Sequence, residues 1–392
     1  MTIGLVLPAV PAYSETFFRN KINGLQERGV HVKLFVNTNS KHSYNLNCEI
    51  YKAPVLHGHL LRVYWSILKA SVLSVCLSPK RSYKLYKINK SIGLSLKDNY
   101  KSLVSNQFII RHDLDWLHFG FGTMALKREY LAKAIGAKLA VSFRGFDIGV
   151  YPVKYPGCYD ELFKASPKIH VISDDIKNLV YAQGGDSRKE ISKITPAIDV
   201  SFFNNLNANR IINQPVKFIS IGRLHWKKGF EDTLEALAIL KQQPLEFEYT
   251  IIGDGPELES ILFTIHQLQL QDCVTLKGKL LPEDVKQCLQ QSDVYLQYSK
   301  QEGFCNAVLE AQAMGCLCVV SDAEGLPENV LHGQTGWVVP KRQPIILAQQ
   351  IKTLLALNKE QQQNIRTQAE VRVQKNFSMS TQIEAFCKFY EI

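Results

Sequence analysis

Glu302 and Glu310 are the residues around which chemistry can be built. Seven residues separate them, inside the stretch 298–336, YSKQEGFCNAVLEAQAMGCLCVVSDAEGLPENVLHGQTG. A turn over 299–303 precedes a helical pattern in which Val308, Leu309, Ala311 and Ala313 mix with polar positions, and Gly315 ends it. Glu302 lies ahead of that helix and Glu310 inside it. Eight helical steps of roughly 1.5 Å span about 12 Å. Such a reach suits a ligand with hydroxyls at both ends and an anion between them. The backbone N–H groups of Gly303, Phe304, Cys305 and Asn306, at the helix start, offer the anion a place. A nucleotide-sugar has this layout: ribose, diphosphate, hexose.

A glutamate pair at this spacing, taken alone, is better read as a helix cap and a solvated helix residue. The setting changes that reading. Glu-Gly-Phe stands before the helix, Glu-Ala-x-Ala-x-Gly at its end and Gly-x-Pro-Glu after the next apolar run. This string resembles the donor-site signature of retaining glycosyltransferases of family 4, which have the GT-B fold. The resemblance implies that Glu302 contacts sugar hydroxyls and Glu310 the ribose.

Further along the same resemblance, Gly222-Arg223-Leu224 and Lys228-Gly229 are similar to the family's Gly-Arg-Leu…Lys-Gly. Arg223 and Lys228 are then expected to hold the donor diphosphate. Two cations stabilise a leaving group that gathers charge as the glycosidic bond breaks. A solvated surface pair is the alternative. The turn Gly253-Asp254-Gly255-Pro256 is weak evidence for a nucleotide by itself; the resemblance adds Gly253 to the donor set, with Lys279 and Leu280 near the base. Relatives of this kind need no metal, so neither metal nor cofactor is expected and the nucleotide-sugar is a substrate.

The elements that would position these residues follow from the apolar pattern. In the first half, strands are expected over 2–7, 30–36, 138–143 and 169–172, with a strand end at 116–122 and a helix over 15–28 carrying Phe17, Phe18, Ile22 and Leu25 on one face. Ser173 is the expected cap of a following helix. In the second half, strands are expected over 216–221, 249–252, 274–276, 293–297 and 316–320, with a helix over 230–240. Strand–loop–helix repetition of this kind makes parallel sheets. The expected fold class is α/β: GT-B, two doubly wound Rossmann-like domains facing a central cleft. The expected division is 1–203 for an acceptor-binding domain, 204–215 for a polar linker, 216–375 for the donor-binding domain and 376–392 for a helix crossing back. By resemblance, the run 194–202 is the strand and crossover into the second domain.

The first half departs from the family pattern in places. The loop after the first strand has no glycine and reads Pro11-Ala12-Tyr13-Ser14-Glu15-Thr16. It looks like the Ser-Glu-Thr-Phe variant found among enzymes of extracellular polysaccharide synthesis, of the colanic-acid type. Ser14 is either a helix cap or a hydroxyl that replaces a backbone contact to phosphate, and Glu15 is grouped with it. The segment Trp116-Leu-His118-Phe-Gly resembles the family's His-x-His-Phe-Gly with one histidine left. Arg144-Gly145-Phe146-Asp147 stands where His-Gly-x-Asp is usual. Arg144 cannot act as a base near neutral pH, but it can hold a phosphate or a hydroxyl. Ser14, Glu15, His118, Arg144 and Asp147 are thus the candidate first-domain site. Asp113-Leu-Asp115 is read as a loop, because so short a motif is common and it precedes a strand.

Composition narrows the class further. With 392 residues, 46 % of them hydrophobic, the chain can build two cores and is not disordered. Nine scattered cysteines without a CxxC pair indicate structural thiols in a reducing compartment. The apolar run 3–10 is broken by Pro8 and reads as a first strand rather than a signal peptide, so the expected location is the cytoplasm. Residues 1–200 hold 28 basic and 15 acidic side chains, a net of +13; the remainder holds 18 and 21, a net of −3. The basic half is expected to meet an anionic partner. Residues 60–77, apolar but for Arg62, Lys69 and three serines, run into Lys80, Arg81, Lys84, Lys87 and Lys90. This is either an interfacial helix on an anionic membrane, through 60–101 on its inner face, or a core helix with a solvated neighbour. No nucleic-acid partner is expected, because no recognition motif accompanies the charge.

The expected function is a retaining, metal-independent glycosyltransferase that moves a sugar from a nucleotide-sugar to a saccharide or lipid-linked acceptor in cell-surface polysaccharide synthesis. The alternatives are a GT-B enzyme of the epimerase or phosphorylase type and an inactive, membrane-associated binding module.

Overall fold

The computed structural model describes residues 1–11, 16–38, 46–204 and 210–392, with the side chains of Thr16 and Val75 left aside. The chain forms two units, Met1–Ile194 with Ile383–Ile392, and Thr195–Gln382. The sequence placed the first break later, at 203; the structure places it directly after the last strand of the first unit.

That unit holds seven strands among the described residues: β1 Thr2–Ala9, β2 His31–Thr38, β3 Glu49–Lys52, β4 Trp116–Phe119, β5 Lys138–Phe143, β6 Lys168–Val171 and β7 Ile191–Lys193. All pair in parallel, in the order β3-β2-β1-β4-β5-β6-β7. The central strands are buried on both faces, which is why they read as unbroken apolar runs. The chain order reverses between β1 and β4, so the switch point lies there. The helix after β1 spans Thr16–Glu27, and Ser173 caps Asp174–Ala182 by accepting the Ile176 N–H. Two strands, β3 and β7, were not expected. The run 194–202 is not a strand; only Ile198 makes an isolated bridge, to Ser378. Asp113 and Asp115 lie in a loop, paired with Arg81 and with the Thr2 N–H.

One buried polar column crosses this sheet. His118 on β4, Ser142 on β5 and His170 on β6 are at most 1 % exposed. His118 Nε2 and Ser142 Oγ are 2.7 Å apart, as are Ser142 Oγ and His170 Nδ1, and His170 Nε2 lies 2.9 Å from the Ile194 carbonyl. Lys21 and the Tyr390 hydroxyl both meet His118 Nδ1. Only one set of tautomers satisfies every member: His118 donates to Ser142, Ser142 to His170, and His170 to the Ile194 carbonyl. Burial pushes both imidazoles well below their usual range, with the Lys21 and Arg144 charges adding, so both stay neutral. Ser142→Ala would leave a donor on one ring and an acceptor on the other without partners. Each orphan costs about 1–3 kcal/mol, so urea unfolding is expected to show a loss of about 2–6 kcal/mol. A loss below about 0.5 kcal/mol would disprove the column.

The second unit restarts the pattern with β8 Val216–Ile221, β9 Phe247–Ile252, β10 Val274–Leu276, β11 Val294–Gln297, β12 Leu317–Ser321 and β13 Trp337–Val339. These are again all parallel, in the order β10-β9-β8-β11-β12-β13. Phe218, Tyr249, Leu296 and Val319 anchor its core. The switch point falls between β8 and β11. Loops that leave the carboxyl ends of those two strands therefore diverge to opposite faces and leave room for a ligand between them.

Candidate functional site

The loop after β8 carries Arg223 and Lys228. Leu224 is buried and exchanges backbone hydrogen bonds with the β9 loop: its N–H donates to the Asp254 carbonyl and its carbonyl accepts from Glu257. A short 3-10 turn, Trp226–Lys228, follows, and Gly229 turns the chain into the helix Phe230–Lys241 at φ 64°. Only glycine fits there, because a Cβ would stand 2.0 Å from the Tyr298 carbonyl oxygen. The Lys228 stem lies over Gly222 and its ammonium forms an ion pair with Glu302.

Glu302 comes from the loop after β11. Its side chain is 12 % exposed and that of Lys228 13 %. Burial works against the Lys228 ammonium, but the Glu302 charge, with Cys305 and the shared hydrogen bond, outweighs it and raises the group above its ordinary value. A buried polar chain leads to Glu302 from below: Tyr295 Oη and Gln297 Oε1 are 2.8 Å apart, Gln297 Nε2 donates to Ser299 Oγ at 2.8 Å, and Ser299 Oγ faces Glu302 at 3.5 Å. The two loops are stitched by the Lys300 N–H, which donates to the Lys227 carbonyl at 2.7 Å. Arg223 is exposed, and its charge, after burial and beside that of its neighbours, acts on both Lys227 and Lys228.

The helix after this loop is Asn306–Ala313. Among the described residues the N–H groups of Gly303, Phe304 and Asn306 meet no acceptor. The N–H of Cys305 does not share this freedom. It donates to the buried Asn329 Oδ1 at 3.0 Å, and Asn329 Nδ2 returns a bond to the Cys305 carbonyl. Cys305 is therefore an anchor of the loop and not a donor contact, and burial holds its thiol up at about 11. The N–H of Gly253 is engaged likewise. It donates to the Gly278 carbonyl at 2.8 Å, and a Cβ would stand 1.9 Å from the Gly222 carbonyl, so this glycine packs the β9 loop against the β8 loop. Lys279 and Leu280 follow β10, the former exposed and the latter half-buried.

The carboxyl of Glu310, half-buried inside the helix, makes no hydrogen bond or ion pair among the described residues. Burial alone pushes its carboxyl up to about 7. Its charge acts on the neighbouring Tyr295 and Cys305, and a desolvated acid without a protein partner is what a ligand site looks like before the ligand arrives.

In the first unit the candidate residues separate. Ser14 and Glu15 lie outside the described residues. His118 is not at a surface; it is consumed by the column across the sheet. Arg144 and Asp147 do come together at the ends of β4 and β5. The Arg144 guanidinium stacks on Phe17 and Phe18, 3.9 and 4.6 Å from the ring centres. Asp147 accepts the N–H groups of Gly122, Arg144 and Gly145 at 2.9–3.0 Å, so its carboxylate shapes the loops and faces no ligand. Gln297, Ser299 and Asn329 were missed from sequence. Tyr295 and Gln297, at alternate positions of an apolar strand, with Ser299 continuing the alternation just past its end, were the available signal.

The sequence profile described as "Glycosyl transferases group 1" matches residues 201–372. A protein of Escherichia coli (strain K12) named as the colanic acid biosynthesis glycosyltransferase WcaL is 28 % identical, over 96 % of each chain. Its namesake in Salmonella typhimurium is 30 % identical over 284 residues, 70 % of this chain and 69 % of that one. Among solved structures, Anabaena HepE in complex with UDP and glucose superposes with a TM-score of 0.72 at 15 % identity, over 100 % of this chain and 99 % of that one. At that identity the likeness is one of fold, and the fold is GT-B. With the profile lying on the loops that hold Lys228 and Glu302 and the helix that holds Glu310, and a relative matched over two thirds of its length, the chain belongs to the glycosyl transferases group 1 family.

Proposed function

We propose that this protein is a retaining glycosyltransferase that moves a sugar from a nucleotide-sugar to a saccharide or lipid-linked acceptor during cell-surface polysaccharide synthesis. One observation carries the reading: the Lys228–Glu302 pair and the unpartnered Glu310 bracket the open N-terminus of one helix. In the free chain each member of the pair neutralises the other. When a donor enters, Lys228 and Arg223 turn to the diphosphate, Glu302 is released to accept sugar hydroxyls, and Glu310 takes the ribose. Gly303, Phe304 and Asn306 add N–H groups to the phosphate and sugar. The cations supply the charge that a metal gives elsewhere. Retention then follows from front-face attack, with a leaving phosphate oxygen accepting the acceptor's proton. The names of the WcaL relatives support a polysaccharide product, and the UDP and glucose bound by HepE support a nucleotide-linked donor. Thermal shifts against UDP-, GDP- and ADP-linked sugars test this: the true donor stabilises the fold by mass action, and no shift with any of them rejects it.

The same reading places the enzyme on the cytoplasmic face of an anionic membrane. Residues 50–112 hold 11 basic and 1 acidic side chains, a net of +10, which equals the net charge of the whole chain. The helix Leu60–Cys76 in that segment exposes Leu60, Leu61, Tyr64, Trp65, Leu68 and Val72, all within one 140° arc at roughly 100° per residue, while Ala70 and Ser74 face inward. No single helix among the described residues is long and apolar enough to cross a membrane. A basic helix with an aromatic and aliphatic stripe lies in the interface plane. The protein is expected to sediment with phosphatidylglycerol–phosphatidylcholine vesicles and not with phosphatidylcholine alone, less so in high salt. Leu61→Ser with Trp65→Ser should weaken this at least about tenfold, since each buried side chain is worth about 1.5–3 kcal/mol. Unchanged sedimentation, or a concentration-dependent dimer lost in the variant, would refute the assignment.

A further inference from the structure

Glu302 must hold its carboxylate at one place in the site, yet it sits in a loop, and its side-chain contacts are those a donor would displace. Its backbone is held from elsewhere. The Glu302 N–H donates to Glu324 Oε2 at 2.7 Å, and the Glu302 carbonyl accepts from the Gly325 N–H at 2.9 Å. Both faces of one peptide segment are thus gripped by two consecutive residues of the loop after β12. The other oxygen of Glu324 pairs with Lys341 at 3.3 Å, so the carboxylate is braced and charged. The approach is tight: a Cβ on Gly325 would stand 1.9 Å from the Gly303 carbonyl oxygen.

Glu324 also has φ 33°, a backbone region that disfavours any residue with a side chain. Glycine would sit there more easily. A glutamate kept in an unfavourable conformation, with its carboxylate spent on another residue's amide, is strain retained for a purpose. We infer that Glu324 is a positioning residue for Glu302: its carboxylate, braced by Lys341, fixes the peptide from which Glu302 and the N–H groups of Gly303 and Phe304 are aimed. The inference rests on the proposed role of Glu302 in binding the sugar.

Glu324→Gly and Glu324→Gln in the full chain separate this from a mere turn. Glycine relieves the backbone and removes the acceptor; glutamine keeps an acceptor oxygen without the charge. The glycine variant is expected to fold at least as stably as the native chain. Its turnover, with whichever of UDP-, GDP- and ADP-linked sugars shifts the native melting temperature, should fall about tenfold to a hundredfold through loss of alignment. Affinity for the matching nucleoside diphosphate should change less than about threefold, since Arg223, Lys228 and Glu310 lie on other segments. Glutamine should restore turnover to within about threefold. Hydrogen exchange at the Glu302 amide, which needs no donor, should speed up in the glycine variant and stay slow in the glutamine one. A glycine variant with native turnover and native exchange overturns the inference, as does a glutamine variant no better than glycine. If the native chain binds none of the three nucleotide-sugars, the functional reading fails instead, and the exchange rates still decide whether Glu324 holds the Glu302 peptide.

Discussion

Lys228→Ala is expected to lower sugar-transfer turnover about 10²–10³-fold, the usual cost of removing one preorganised charge from a site where charge develops. The loss should appear in kcat more than in KM, because the ammonium gains most when the diphosphate leaves. The same substitution strands the Glu302 carboxylate, which is only 12 % exposed and otherwise faces Ser299. Leaving one member of a largely buried pair without its partner costs stability, here about 1–3 kcal/mol with part of the site open to water. Glu302→Gln in the Lys228→Ala background should return most of that stability, since a neutral amide needs no counter-ion. It should return none of the turnover, because the sugar contact is then lost as well. Urea unfolding and steady-state kinetics on the two single variants and the double separate these effects. A double variant that regains activity would mean the pair is structural and the diphosphate is held elsewhere.

How much of this was legible in the sequence differs between the two units. Strands such as 138–143 and 216–221 were placed to the residue, because parallel strands buried on both faces leave an unmistakable apolar run. β3 and β7, short edge strands with half their residues polar, leave no such run. Glu302, Lys228 and Glu310 stood out as candidates because they fall in a string of residue types that resembles the family's donor-site signature. Whether a backbone N–H such as that of Cys305 or Gly253 is free depends on what folds over it. Asn329, twenty-four residues on, takes one, and the Gly278 carbonyl takes the other. His118 shows the converse. A lone histidine in a recognised motif read as a site residue, but its neighbours on β5 and β6 supply a serine and a second histidine at hydrogen-bond distance, and cross-strand register is not written in any local stretch.

Glu310→Gln is expected to move stability and ligand affinity in opposite directions. In the free chain burial raises the Glu310 carboxyl from 4.5 to about 7. The folded state therefore disfavours the ionised form. Its contribution to stability is fully present below pH 4.5 and is lost as pH rises through about 7. At pH 8 the cost of holding the charge is about 3 kcal/mol. The glutamine variant escapes it, so it should unfold at higher urea concentration than the native chain at pH 8 and at nearly the same concentration at pH 5. Binding runs the other way. Ribose hydroxyls donate to a carboxylate that has no protein partner, and hydrogen bonds to a charged group are worth about 1.5–3 kcal/mol. The variant should bind the nucleotide-sugar about tenfold to a hundredfold more weakly. Because the donor must meet the ionised acid, native affinity should fall below pH 7, approaching about tenfold per pH unit, while the variant stays flat. The sugar diphosphate carries no group that titrates in this range, so the slope belongs to the protein. Calorimetric titration across pH 5–8 checks the claim, and a native affinity that ignores pH would remove Glu310 from the ribose.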